Sequence, residues 1–102
     1  MREIRILPEV VQDIAMAAEW YDVGGYLGLG DRFTATFYSF LPEIQKSGEI
    51  YRKAYLDFRK ILIRPFPYSV YYRLHDDTWI VALVIYAAGR PSLTQRILRN
   101  RE

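Results

Sequence analysis

Hydrophobic and polar positions change rhythm twice along this chain. Arg2 to Leu7 alternates, with Ile4 and Ile6 facing one way and Glu3 and Arg5 the other, which predicts a short strand with one buried face. Pro8 then suits the first turn of a helix, where its missing N–H is not needed. Val10, Val11, Ile14, Ala17, Ala18 and Tyr21 recur at helical spacing, opposite Gln12, Asp13 and Glu19. Gly24 and Gly25 close that helix. After Gly28-Leu29-Gly30, Asp31 is a suitable N-cap for a second helix whose stripe is Phe33, Phe37, Phe40, Leu41 and Ile44. Pro42 falls inside that stripe. An interior proline removes a backbone hydrogen bond and clashes with the preceding turn, at about 3 kcal/mol, so the helix should kink or break there. Ser47-Gly48 ends the helical region. The short loop between the helices predicts an antiparallel helix hairpin.

The period then falls to two. Ala54 to Phe58 reads as a strand that Arg59 to Arg64 continues or follows. Pro65-Phe66-Pro67 makes a stiff corner, because neither proline can donate to a ladder and each pushes its predecessor towards extended geometry. Tyr68 to Leu74 and Trp79 to Ala87 form an antiparallel hairpin around His75-Asp76-Asp77-Thr78. Ile80 to Ile85 is apolar on both faces and belongs in the middle of a covered sheet. Gly89 breaks the strand. Arg90-Pro91-Ser92 leads into a short C-terminal helix or tail carrying Arg96, Arg99 and Arg101. The order β-α-α-β-β-β predicts a single α+β domain over residues 1–102. After an N-terminal strand, an antiparallel helix hairpin would pack on one face of a curved, mainly antiparallel sheet, with a short C-terminal helix or tail. Trp20 and Trp79 are expected as core anchors, Tyr68, Tyr71 and Tyr72 as cross-strand packing, and His75 as a turn residue.

Composition narrows the class. With 51% apolar and 25% charged residues the chain is globular rather than disordered. A chain of 102 residues is enough for one core and not for a second. The absence of cysteine excludes a disulfide framework and a thiolate metal site, and suits a reducing cytoplasm. One histidine is too few for a histidine-built metal site. No apolar leader is visible at the N-terminus. The longest uncharged run, Thr78 to Gly89, has 12 residues and is too short to span a membrane. The glycines from Gly24 to Gly30 match neither a P-loop nor a dinucleotide fingerprint, and read as an interhelical turn. The net charge of +2 divides into −4 over residues 1–50 and +6 over residues 51–102, which favours an anionic partner for the second half.

These elements, in this order, resemble the RelE/ParE toxin superfamily of type II toxin–antitoxin (plasmid stabilisation) systems. The resemblance rests on several features: Pro8 leading into a helix that closes with Trp20-Tyr21, Gly28-Leu29-Gly30 before a helix opening at Phe33, and the basic strand with Arg59. Phe66-Pro67-Tyr68, the aromatic hairpin and Arg90-Pro91 complete it. It implies one of two activities. RelE-like members are metal-free endoribonucleases that cut messenger RNA on the ribosome. ParE-like members lack that residue set and inhibit DNA gyrase. Both imply no cofactor, a cytoplasmic location, no membrane, and neutralisation by a cognate acidic antitoxin. A homodimer stays open, as does a degenerate non-toxic member that only binds a partner.

Metal-free RNA cleavage needs a base near the 2′-hydroxyl, cations around the phosphate and an acid for the leaving oxygen. Lys60, Arg64 and Arg90 match basic positions of the family and are the candidate catalytic residues. Arg59, Tyr68, Arg73, Arg96 and Arg99 are candidates for target or antitoxin binding. Three departures weigh against cleavage. Leu62 stands where RelE-like strands tend to offer a second lysine, Ser69 where they place an arginine, and Arg96 where they place a tyrosine. Arginine stays protonated in proteins and is a poor proton-transfer group. The resemblance is therefore closer to the ParE-like branch. Singly, Arg59, Lys60 and Arg64 also fit ordinary edge charges that discourage strand aggregation.

Overall fold

The computed structural model describes Met1–Glu102. Strand β1 (Glu3–Ile6) leads into α1 (Pro8–Val23), α2 (Leu29–Ser39), α3 (Leu41–Ser47) and a 3-10 turn at Gly48–Ile50. Strands β2 (Lys53–Tyr55), β3 (Phe58–Leu62), β4 (Tyr68–His75) and β5 (Thr78–Tyr86) follow, and α4 (Pro91–Asn100) ends the chain. The five strands lie in the order β1-β5-β4-β3-β2. Every pairing is antiparallel except β1 with β5, which run parallel. This is the expected α+β architecture, with the helix hairpin on one face. No helix is long and apolar enough to cross a membrane.

Several boundaries move for local reasons. Helix α2 begins at Leu29, not Asp31, because Gly28 supplies the left-handed entry at φ 85°. No side chain of α2 caps that end; the Asp22 carboxylate of α1 accepts from Gly30 N at 3.0 Å instead. Gly30 must stay small, since a Cβ there would lie 2.4 Å from the Ala18 carbonyl oxygen. The helix does break at Pro42, which sits in the first turn of α3. Ala54 to Phe58 is not one strand: Leu56 and Asp57 form the turn between β2 and β3, with Leu56 at φ 50°. The turn of the second hairpin is tighter than expected. Asp76 and Asp77 alone make it, both at positive φ, and His75 and Thr78 pair across the ladder.

The main core gathers Val10, Ile14, Ala17 and Tyr21 from α1 with Phe33, Phe37 and Ile44 from the next two helices. They pack on Ile61, Val70, Tyr72, Trp79, Val81 and Val84 of the sheet. Val11, expected in the stripe, faces solvent. Trp79 is buried as expected, but Trp20 is 69% exposed and anchors no core. A second, smaller cluster was not expected: Phe58, Ala82, Leu83 and Leu98 bury the opposite face of the sheet beneath α4. The sheet is therefore covered on both sides, and the terminal segment is a docked helix.

A β-bulge makes this two-sided packing work. Tyr71 pairs with Leu83 and Tyr72 with Val81, so Ala82 is the extra residue of β5. Val81 and Val84 therefore enter the main core, whereas Ala82 and Leu83 enter the second cluster. Strand β1 pairs only as far as Val81, so the β1-side edge of β5 lacks a strand from Ala82 onwards. Polar side chains fill that gap. The Asp13 carboxylate accepts from Val84 N at 3.1 Å and from Nη1 and Nη2 of Arg101 at 2.6 and 3.0 Å. Arg101 Nη1 also donates to the Ala82 carbonyl at 3.1 Å.

This packing is testable by substitution. Asp13→Ala leaves a largely buried guanidinium and the Val84 N–H without their acceptor, and should cost about 2–4 kcal/mol in urea unfolding. Asp13→Ala/Arg101→Ala together should cost clearly less than the sum of the single changes. Tyr72 is buried, its hydroxyl donates to the Gly48 carbonyl at 2.7 Å, and burial is the main cause raising its pKa above 10.0. The unfolded chain therefore ionises first, and stability falls as pH rises through about 10. Tyr72→Phe should lose about 1 kcal/mol at neutral pH and flatten that alkaline decline, read as melting temperature against pH.

Candidate functional site

Alternation along β3 and β4 puts Phe58, Lys60 and Leu62 on the α4 side of the sheet, together with Ser69, Tyr71 and Arg73. Lys60 lies opposite Tyr71, and Tyr71 opposite Leu83. Lys60, Tyr55, Tyr71, Thr94 and Gln95 line a cavity of about 210 Å³ between the sheet and the start of α4. Lys60 is exposed and makes no ion pair. Gly89 and Pro91 line the same cavity, which brings Arg90 to its rim as the residue capping α4. Arg90 gives α4 no side-chain cap, and its carbonyl accepts from Thr94 N at 3.2 Å. Arg64 was expected on the basic strand. It lies instead in the turn beyond β3, exposed, before Pro65.

The other cations separate into tied and free. Arg59 points to the opposite side and donates to the carbonyls of Tyr51 at 2.6 Å and Glu49 at 3.2 Å, holding the crossover into β2. Arg73 donates to the Glu102 carbonyl at 3.2 Å and lies over the Phe58 ring at 5.9 Å, so it grips the end of α4. Arg96 and Arg99 are exposed on α4 without an ion pair. The three departures noted above also find places. Leu62 and Ser69 are cross-strand partners, so they interrupt the face at one spot, with Ile85 beyond Ser69. Ser69 is buried, and Arg96 projects to solvent. The phenol of Tyr71 beside Lys60 is raised by burial, so it stays protonated at neutral pH and can donate but not accept a proton there. The arrangement can hold an anion; it offers no evident base.

A second concave site has no counterpart among the expected residues except Tyr68. Trp20, Tyr21, Pro67, Tyr68 and Tyr86 line a cup of about 720 Å³ between α1 and the end of β5. Tyr68 packs edge-on against Phe33 at 4.9 Å and Tyr86 at 5.8 Å, which fixes its ring. Tyr21 and Tyr68 are both raised by burial first, and then by neighbouring tyrosines of the same cup. Beyond Trp20 the surface continues over Met16 and Val23, both exposed. The helical count contained the signal for Trp20. The buried stripe runs Val10, Ile14, Ala17, Tyr21, whereas Trp20 lies one turn from Met16, off that stripe.

No family model matches the chain, and no curated protein matches it. Among solved structures it is similar to a chain described as "Chromosomal ParDE TA system from P. aeruginosa". The TM-score is 0.75 at 10% identity, covering 84% of this chain and 96% of that one. At that identity the match shows a shared fold and nothing finer.

The split between tied and free cations is testable. Lys60→Ala and Arg90→Ala should change unfolding free energy by less than about 0.5 kcal/mol. Arg59→Ala strips two carbonyls of their donor and should cost about 1–2 kcal/mol by chemical denaturation.

Proposed function

We propose that this chain is the toxin component of a toxin–antitoxin system and acts in the ParE-like manner, by binding and inhibiting DNA gyrase. One observation carries the choice of branch. Leu62 and Ser69, at two positions where RelE-like members tend to carry cations, meet across the ladder on the sheet face that bears Lys60. The shared fold with a ParDE-system chain supports the toxin–antitoxin assignment. On this reading Lys60, Arg64 and Arg90 bind rather than catalyse, and Arg96 and Arg99 extend the cationic surface. A cognate antitoxin with an acidic segment neutralises the chain over its cationic second half, so the affinity of the complex falls as salt rises.

A second reading keeps Lys60, Arg64 and Arg90 as the anion-binding part of a ribosome-dependent endoribonuclease. The polar cavity that joins Lys60 to the Arg90 corner favours it. A single pair of assays separates the two. Purified gyrase should lose supercoiling activity as the protein is added, and unchanged supercoiling at saturating protein sinks the gyrase reading. Primer extension on translated message should show no new 5′ ends; new ends that vanish in Lys60→Ala would install the ribonuclease instead.

A further inference from the structure

Helix α1 carries Glu9, Asp13, Glu19 and Asp22 and no lysine or arginine. Two of these carboxylates have partners: Asp13 holds Arg101, and Asp22 accepts from Gly30 N. Glu9 and Glu19 make no ion pair. Glu19 lines, with Trp20, the shallow depression that adjoins the aromatic cup. The cup presents rings that nothing covers: Trp20 is 69% and Tyr86 51% exposed. The hydroxyls of Tyr21, Tyr68 and Tyr86 make no hydrogen bond within the chain; only Tyr51 and Tyr72 donate theirs.

We propose that the cup of Trp20, Tyr21, Tyr68 and Tyr86 receives an arginine side chain presented by an apolar segment of a protein partner, with Glu19 as its counter-charge. A purely apolar anchor would match the rings but leave the three hydroxyls and the Glu19 carboxylate without a function. A guanidinium meets all three: its plane stacks on aromatic faces, and its fork of N–H groups donates to hydroxyls and a carboxylate. The chain already uses this chemistry internally. Arg2 lies over the Trp79 ring at 5.7 Å while pairing with Glu49 and Asp77. Asp13 of the same helix takes Arg101 beside apolar neighbours. The exposed Met16 and Val23 beside the cup give the flanking apolar residues of the segment a surface to cover.

The chemistry of the cup stands apart from the toxin–antitoxin reading. The probe is therefore a short, capped, leucine- and alanine-rich peptide with one central arginine, compared with the same peptide carrying neutral, isosteric citrulline. Binding to the intact chain is followed by fluorescence anisotropy of the labelled peptides. The arginine peptide should bind about tenfold more tightly. Trp20→Ala and Glu19→Gln should each shrink that ratio towards unity, with thermal unfolding unchanged because both side chains face solvent. Equal affinities, no binding of either peptide, or a ratio that survives Trp20→Ala would each overturn the assignment. None of these outcomes bears on gyrase, so the proposal and the toxin reading fail separately.

Discussion

The packing of this molecule depends on one polar contact, the carboxylate of Asp13 set against the bulge of β5. Strict alternation along β5 would send Leu83 to the main core and Val84 beneath α4. The extra residue Ala82 resolves that by turning Val84 back to the main core while Leu83 stays beneath α4. The bulge has a cost: it falls where β1 has ended, so the edge of β5 faces outward with backbone groups to satisfy. Asp13 satisfies Val84 N, and Arg101 satisfies the Ala82 carbonyl. Because Asp13 belongs to α1 and Arg101 closes α4, the same pair pins the covers of both faces to the central strand. Arg73 completes the grip on α4 through the Glu102 carbonyl.

A second constraint holds the other end of the sheet. Gly48 lies against the Trp79 indole so closely that a Cβ would approach ring carbons to 2.7 Å. The Gly48 carbonyl accepts from the buried Tyr72 hydroxyl, and Tyr72 meets Trp79 edge-on at 5.2 Å. The 3-10 turn is thereby sealed onto the hairpin, and Arg2 closes the outside by stacking over Trp79. The path from helices to β2 is therefore rigid although it has little regular structure. That rigidity sets where Lys53 to Lys60 emerge.

Elements with a strict period were legible in the sequence. The N-terminal strand, the helix hairpin, the break at Pro42 and the aromatic β-hairpin all carry local signals that no tertiary contact overrides. What escaped depended on distant partners. Asp31 is a good N-cap by type, but the cap comes from Asp22 on the previous helix. Trp20 reads as core by size, whereas helical phase puts it outside. The second cluster under α4 was hidden because Leu98 stands among arginines, and only the bulge turns enough apolar surface towards it. For the candidate site, sequence order gave the cations but not their bonds. Arg59 and Arg73 look like Lys60 in a one-dimensional reading, yet each already donates to a main-chain oxygen.

Charge is segregated by element as well as by sequence half, and this bears on recognition more than the net value does. Helix α1 is acidic and apolar, whereas β3, the corner after it and α4 carry Lys60, Arg64, Arg90, Arg96 and Arg99 without an ion pair. A partner made only of acidic residues would suit the second surface and be repelled by the first. A partner with an acidic stretch and a separate apolar, arginine-bearing stretch would suit both, in one orientation only. The two surfaces thus set opposite charge requirements on one small domain, although the formal balance is only +2. Charge complementarity of this kind acts on orientation and specificity more than on raw affinity, so the separation of the two surfaces matters more than the net value.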